Sequence, residues 1–148
     1  MSTVASDVSI DNDIRAVLDD YQRAVRALDV DAILAHYTPD IVAYDAVGQL
    51  RFVGTEAYGA HWRACVAHAT GQMLFALHDP SIAASGDVGF AHGLVRCGMV
   101  EADGSEKSSW MRATYALRRQ QGRWLIVHEH YSVPMDMESG KASFDLQP

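Results

Sequence analysis

Basic residues are scarce in this chain: 12 Lys and Arg stand against 19 Asp and Glu in 148 residues, a formal net charge of −7. A surface that tracks nucleic-acid phosphates needs clustered Lys and Arg, so no nucleic-acid partner is expected. Cysteine is scarcer still. Cys65 and Cys97 cannot build a disulfide framework, and the expectation is a reduced thiol pair in the cytoplasm. No apolar run approaches the roughly 18 residues of a membrane-spanning helix, and Met1 to Ile10 lacks the basic start and apolar stretch of a secretion signal. No membrane partner is expected either. Internal repeats, low-complexity runs and linkers are missing too, which leaves a single domain over 1–148, with a core at about 11–134 and a loosely ordered tail at 135–148. A chain of this length buries a core without covalent staples.

What is present is a change of period. Ile14, Val17, Leu18, Tyr21, Val25 and Leu28 recur at offsets of three and four and draw one stripe along a helix, with Ser9 or Asp11 as its cap. Asp29 caps a second, shorter helix that carries Ile33, Leu34 and Tyr37 and stops at the Thr38-Pro39-Asp40 turn. Ile41 to Asp45 reads as a strand in which Ile41, Ala43 and Asp45 share a face, and Leu50 to Val53 pairs back on it. Thr55 caps a third helix with the stripe Tyr58, Trp62, Cys65, Val66 and Ala69, closed by Gly71. From Gln72 the period is two, and four long strands are divided at Ser85-Gly86-Asp87, at Ala102-Asp103-Gly104-Ser105 and at Gln120-Gln121-Gly122. Asp79-Pro80 marks a bulge or an edge in the first of them, because proline cannot donate to a central ladder. The plan is α+β: a curved antiparallel (mixed) sheet wrapped around three N-terminal helices, its concave face buried against them.

Three stretches carry a resemblance: the Tyr21-x-x-Ala24 helix, the Leu28-Asp29-Val30-Asp31-Ala32 corner, and the closing Gly122-Arg123-Trp124-Leu125-Ile126-Val127-His128 strand. Together they resemble the nuclear transport factor 2-like superfamily, roughly from Asp11 to Val133, and the run through Pro134 is similar to SnoaL-like, ketosteroid isomerase-like bacterial proteins. The resemblance implies a cone with a hydrophobic pocket, a homodimer across the sheet, and cofactor-independent proton transfer on a small hydrophobic organic ligand. Tyr21 falls where ketosteroid isomerases carry the tyrosine that donates to the dienolate oxygen. Asp45, within Tyr44-Asp45-Ala46-Val47-Gly48, falls at their general base. Thr114 occupies the place of their second, protonated aspartate, so that half of the oxyanion hole is absent.

Each candidate has a plainer role beside the catalytic one. Asp45, beside Ile41 and Ala43, is placed to be partly desolvated and to take a proton from carbon; equally, an aspartate before Gly48 forms a turn with its own backbone. Tyr21 lies on the core stripe, where its hydroxyl must find a partner or a ligand. A turn at Gln121-Gly122 sets Thr114 opposite Glu129 and Arg112 opposite Tyr131, so that Trp110, Arg112, Thr114, Glu129 and Tyr131 share a face. His128 and His130 then lie on the other face beside Ala113 and Tyr115, and a one-residue bulge exchanges the two sets. With the face undecided, the candidate ligand-binding set is Tyr44, Tyr58, Trp62, Trp110, Arg112, Thr114, Glu129, His130 and Tyr131. His128-Glu129-His130 also places two imidazoles on one strand face, but no fixed-spacing zinc signature accompanies them, and packing or an interface is the preferred role. His61 and His68 read as solvated or rim residues on the third helix.

The leading expectation is an isomerase, cyclase or hydratase without metal or cofactor, in which Asp45 moves the proton, Tyr21 donates to the oxyanion, and Arg112 with Trp110 positions the substrate. The alternative is a non-catalytic ligand-binding or oligomerisation module, because the closing strand also resembles the end of the association domain of calcium/calmodulin-dependent protein kinase II.

Overall fold

A computed structural model describes residues 4–148 of the chain, and side chains from residue 8 onward. The order of elements is α1 (Val4–Arg26), α2 (Val30–Leu34), β1 (Tyr37–Tyr44), β2 (Phe52–Val53), α3 (Thr55–Ala67), β3 (Gln72–Ser85), β4 (Val88–Val100), β5 (Glu106–Gln120) and β6 (Arg123–Ser132). The six strands form one open sheet in the order β2-β1-β6-β5-β4-β3, antiparallel except where β1 runs parallel to β6. No helix among the described residues is long and apolar enough to cross a membrane.

The stripe on α1 is as expected from Ile14 through Leu18, Tyr21 and Val25, all buried against the sheet. The helix starts earlier than expected: Ser9 and Asp11 lie inside it rather than at its cap. Leu28 adopts a left-handed backbone (φ 55°) at the corner and ends the helical run. Asp29 caps α2 by accepting from Ala32 N at 3.0 Å. At α3 the N-cap is Gly54, with no side-chain cap, and Thr55 is the first helical residue. The helix closes at His68, ahead of Gly71.

The Thr38-Pro39-Asp40 segment belongs to β1, a correction to the expected turn. Tyr37 pairs with Ile126 and Val42 with His128, so β1 advances farther than β6 between the two pairs and the ladder lapses around Pro39. A proline is tolerated where pairing lapses, and Ile126 N fixes the neighbouring His36 carbonyl at 2.8 Å. Tyr37 therefore leaves the second helix and enters the sheet, with its side chain buried.

The four long strands are where the period-two pattern places them, and β3 slips in register between His78 and Ser81, at Asp79-Pro80. Near the last turn, Leu117 pairs with Ile126, as a turn at Gln121-Gly122 requires. Beyond it Ala116 pairs with His128, so Val127 is a bulge. Every later pair is displaced by one: Tyr115 faces Glu129, Ala113 faces Tyr131, Thr114 faces His130 and Arg112 faces Ser132. Glu129 and Tyr131 thus share the concave, buried face with Tyr115, whereas Arg112, Thr114 and His130 lie exposed on the outer face.

Candidate functional site

Five of the six tyrosines in the chain, Tyr21, Tyr37, Tyr58, Tyr115 and Tyr131, are buried around Glu129, which is itself 0% exposed. Each arrives from a different part of the fold. Tyr21 comes from the α1 stripe, Tyr37 from the start of β1, Tyr58 from the first turns of α3, and Tyr115 and Tyr131 from the inward positions of β5 and β6. Their rings fill the interior between sheet and helices, where an enclosed pocket was expected; Tyr21 alone packs against Tyr37, Phe75 and Tyr115 with centroids 5.9–6.2 Å apart.

One oxygen of the carboxylate takes all the direct contacts. Glu129 Oε1 accepts from Tyr58 at 2.6 Å, Tyr37 at 2.8 Å and Tyr21 at 3.2 Å. Tyr21 also meets the hydroxyls of Tyr37 (2.9 Å) and Tyr131 (3.1 Å), and Tyr131 meets Tyr115 at 2.9 Å. The Trp62 indole donates to Tyr37 at 3.1 Å. Glu129 Oε2 is buried with no hydrogen-bond partner among the described residues. A carboxylate stripped of water resists ionisation, so burial pushes Glu129 up to about 7, even though Tyr58, Tyr37 and Tyr21 pull it down by donating to the anion. The nearby negative charge of Asp45 adds to the rise. Burial, with Glu129 as the next cause, holds all five phenols well above the ordinary tyrosine value, so they remain protonated donors.

Asp45 follows β1 and combines both of its expected local features. Its Oδ1 accepts from Val47 N at 3.1 Å, the aspartate turn. Its Oδ2 lies 3.1 Å from the Tyr58 hydroxyl and 3.3 Å from His61 Nε2, and its side chain is only 15% exposed. Tyr58 thus stands between Asp45 and Glu129. His61 stacks on Phe52 at 4.3 Å and on Tyr58 at 5.8 Å beside Asp45, so of the two expected placements, solvated or rim, it does not take the solvated one. The Tyr58, His61, Trp62 spacing of three and four marks that face of α3 in the sequence. For Tyr37 and Tyr115 no such local mark exists.

Asp45 and Tyr131 line an open depression of about 1000 Å³ together with Tyr44, Val47, Leu50 and His130. Tyr21, Trp62, Trp110, Arg112 and Thr114 are not among its lining residues. The hydroxyl of Tyr21 is fully engaged with Tyr37, Glu129 and Tyr131, so it is not free to meet an oxyanion in this depression. Arg112 and Thr114 border a second, outer-face groove of about 450 Å³ beside His78 and His92, and Trp110 packs on His78 with ring centroids 4.7 Å apart. The Val127 bulge is the reason: it turns Arg112 and Thr114 away from the face that holds Glu129. His128 and His130 pack against Tyr44 on the outer face, at 4.7 and 5.4 Å. No group of three His, Cys, Asp or Glu side chains able to hold a metal ion occurs among the described residues. Cys65 and Cys97 are free thiols.

The open curved sheet, the three leading helices and the polar cluster at their junction define a nuclear transport factor 2-like protein. Residues 14–136 match the SnoaL-like domain, and the chain belongs to that family. It is similar over 95% of its length to an NTF2-like protein of unknown function from Pseudomonas putida, with 44% identity, 98% of that chain covered and a TM-score of 0.88. A ketosteroid isomerase-like protein from Erwinia carotovora atroseptica shares the fold at 20% identity and a TM-score of 0.69, over 82% of this chain and 94% of that one. The association domain of the C. elegans calcium/calmodulin-dependent protein kinase II shares it at 16% identity and a TM-score of 0.71, over 86% of this chain and 98% of that one. No curated protein matches the chain.

Proposed function

We propose that the protein binds a small hydrophobic organic ligand in the depression beside β1 and transfers a proton on it with Asp45, without a cofactor. The observation that carries this reading is the position of Asp45. Its carboxylate is held at two points, by Val47 N and by the Tyr58 hydroxyl, and it is mostly withdrawn from water while bordering a depression large enough for a ligand. A carboxylate held in place and largely desolvated is suited to general acid–base work. Tyr44, Val47 and Leu50 supply apolar contact, and His130 supplies a polar one. The reaction class is that of an isomerase, cyclase or hydratase, in line with the ketosteroid isomerase-like neighbour.

Proton abstraction from carbon is measurable before the natural substrate is known. A panel of cyclic ketones incubated with the protein in deuterated buffer, followed by proton NMR, reports exchange at the α-carbon. Asp45→Asn is expected to lower any exchange by about 10²- to 10⁴-fold. Exchange that survives in a folded Asp45→Asn protein sinks the assignment.

The outer sheet face favours self-association as a further part of this proposal. Phe90 and Leu94 are 48% and 36% exposed there, on β4, and neither lines the ligand depression. A homodimer across this face would cover them, whereas a ring of ten or more subunits in solution would favour the assembly-module alternative over the enzyme. Two free thiols in an acidic chain fit a reducing compartment, and we place the protein in the cytoplasm.

A further inference from the structure

Tyr58 has one proton and two carboxylates to satisfy. Its hydroxyl lies 2.6 Å from Glu129 Oε1 and 3.1 Å from Asp45 Oδ2, and an O–H can point at only one of them. If both acids were ionised, one carboxylate would face the lone pairs of the phenol oxygen at hydrogen-bond distance. That contact is repulsive, and the burial of Glu129 and of most of Asp45 leaves little solvent to weaken it. The bridge is satisfied at both ends only when one of the two acids is protonated and donates to the phenol.

We infer that Asp45 and Glu129 form a single titrating pair bridged by Tyr58, holding one proton between them, and that Glu129 thereby sets the protonation of Asp45. Two arrangements have the same charge. In one, the Glu129 carboxyl donates to the Tyr58 oxygen and Tyr58 donates to the Asp45 carboxylate. In the other, the Asp45 carboxyl donates to Tyr58 and Tyr58 donates to the Glu129 carboxylate. Moving one proton across each of the two hydrogen bonds converts the first into the second, with no exchange with water and no net change of charge. Asp45 thus reaches both its base form and its acid form from the same stored proton.

No Lys or Arg side chain among the described residues forms an ion pair with either acid. Glu129 faces Tyr21 from α1, Tyr37 from β1, Tyr58 from α3, Tyr115 from β5 and Tyr131 from its own strand. Among the described residues it makes no ion pair, and its second oxygen has no donor. Asp45 faces Tyr58 and His61 and shares its depression with Arg51 and His130; His61 Nε2, at 3.3 Å, is the group in ion-pair range that can bring a positive charge to the pair. Glu129 does not line the depression and acts on Asp45 through Tyr58, so it is a positioning residue.

The sharing is read without any substrate. Carboxyl-carbon NMR of the full chain labelled at Asp and Glu follows both acids across pH, with Asp45→Asn and Tyr58→Phe as companions. A shared proton requires both carboxyl carbons to respond in each of two steps. Asp45→Asn is expected to move the Glu129 step down by about one pH unit or more, since coupled sites interact by at least that much. Tyr58→Phe is expected to split the pair into two steps, each seen by one carbon only. Independent titration of the two carbons in the wild type overturns the inference, as does a Glu129 step unmoved by Asp45→Asn in a folded protein. The wild-type titration decides the matter even if a variant does not fold. The part Glu129 plays in turnover rests on Asp45 being the proton-transfer group, and the two ideas fail separately: a coupled pair with no α-carbon exchange leaves the bridge standing, while exchange without coupling leaves Asp45 to act alone.

Discussion

The Trp62 indole donates to the Tyr37 hydroxyl at 3.1 Å, and this turns the phenol proton away from Trp62. With one lone pair of Tyr37 occupied, its own proton is left for Glu129 Oε1 at 2.8 Å or for Tyr21 at 2.9 Å. Trp62 therefore orients a donor to the buried acid without touching it.

Trp62→Phe keeps an aromatic ring and removes the N–H. The cost expected from one lost hydrogen bond at a buried oxygen is about 1–2 kcal/mol, read from urea unfolding. Because the directed donation from Tyr37 weakens, the Glu129 titration is expected to move upward from about 7. A downward movement contradicts the orienting role.

Glu129 also makes stability depend on pH in an unusual direction. Its folded-state value of about 7 lies above the 4.5 of a free glutamate, so the folded chain binds the proton more tightly than the unfolded one. That contribution is complete below 4.5 and is lost as the pH rises toward about 7, amounting to about 3 kcal/mol. Glu129→Gln has no such proton to lose. Subtracting its unfolding free energy from that of the wild type, point by point between pH 4.5 and 7, is expected to give a difference that moves steadily against the wild type. A flat difference means Glu129 is ionised throughout.

The outer face gives a test of assembly that leaves the interior alone. Phe90→Glu combined with Leu94→Glu puts two charges on exposed positions of β4. Single-protomer mass by light scattering, against a dimer for the wild type, is the expected result. Surface changes of this kind alter the stability of the protomer itself by only about 0.5 kcal/mol each. A double variant that stays dimeric moves the interface elsewhere.

Much of this fold could be read from the chain because local and global signals agree. The meander from Gln72 is marked by alternation and by Gly-containing turns, and both signals survive in β3 to β6. Tyr37 could not be placed the same way. Pro39 reads locally as a stop, and what overrides it is pairing with Ile126, far along the chain. The Val127 bulge is equally silent: a valine between Ile126 and His128 looks like any strand residue, yet the slip it introduces decides that Glu129 has Tyr115 and not Thr114 as its partner. Asp45 was visible from its strand and turn. Its bridge to Glu129 was not, because Tyr58 and the two acids lie on three separate elements that only the completed sheet brings together.

The parallel contact of β1 with β6 has a consequence for biogenesis. β6 lies between β1 and β5, so the sheet stays in two pieces until the last strand has been synthesised. Until then Tyr21 and Tyr37 have no acid to donate to, Tyr58 has only Asp45, and two hydrogen-bonding edges stand open on the nascent chain. A ribosome stalled before Arg123 would therefore hold an intermediate prone to aggregation, and its release would seat the cluster and close the gap in one cooperative event.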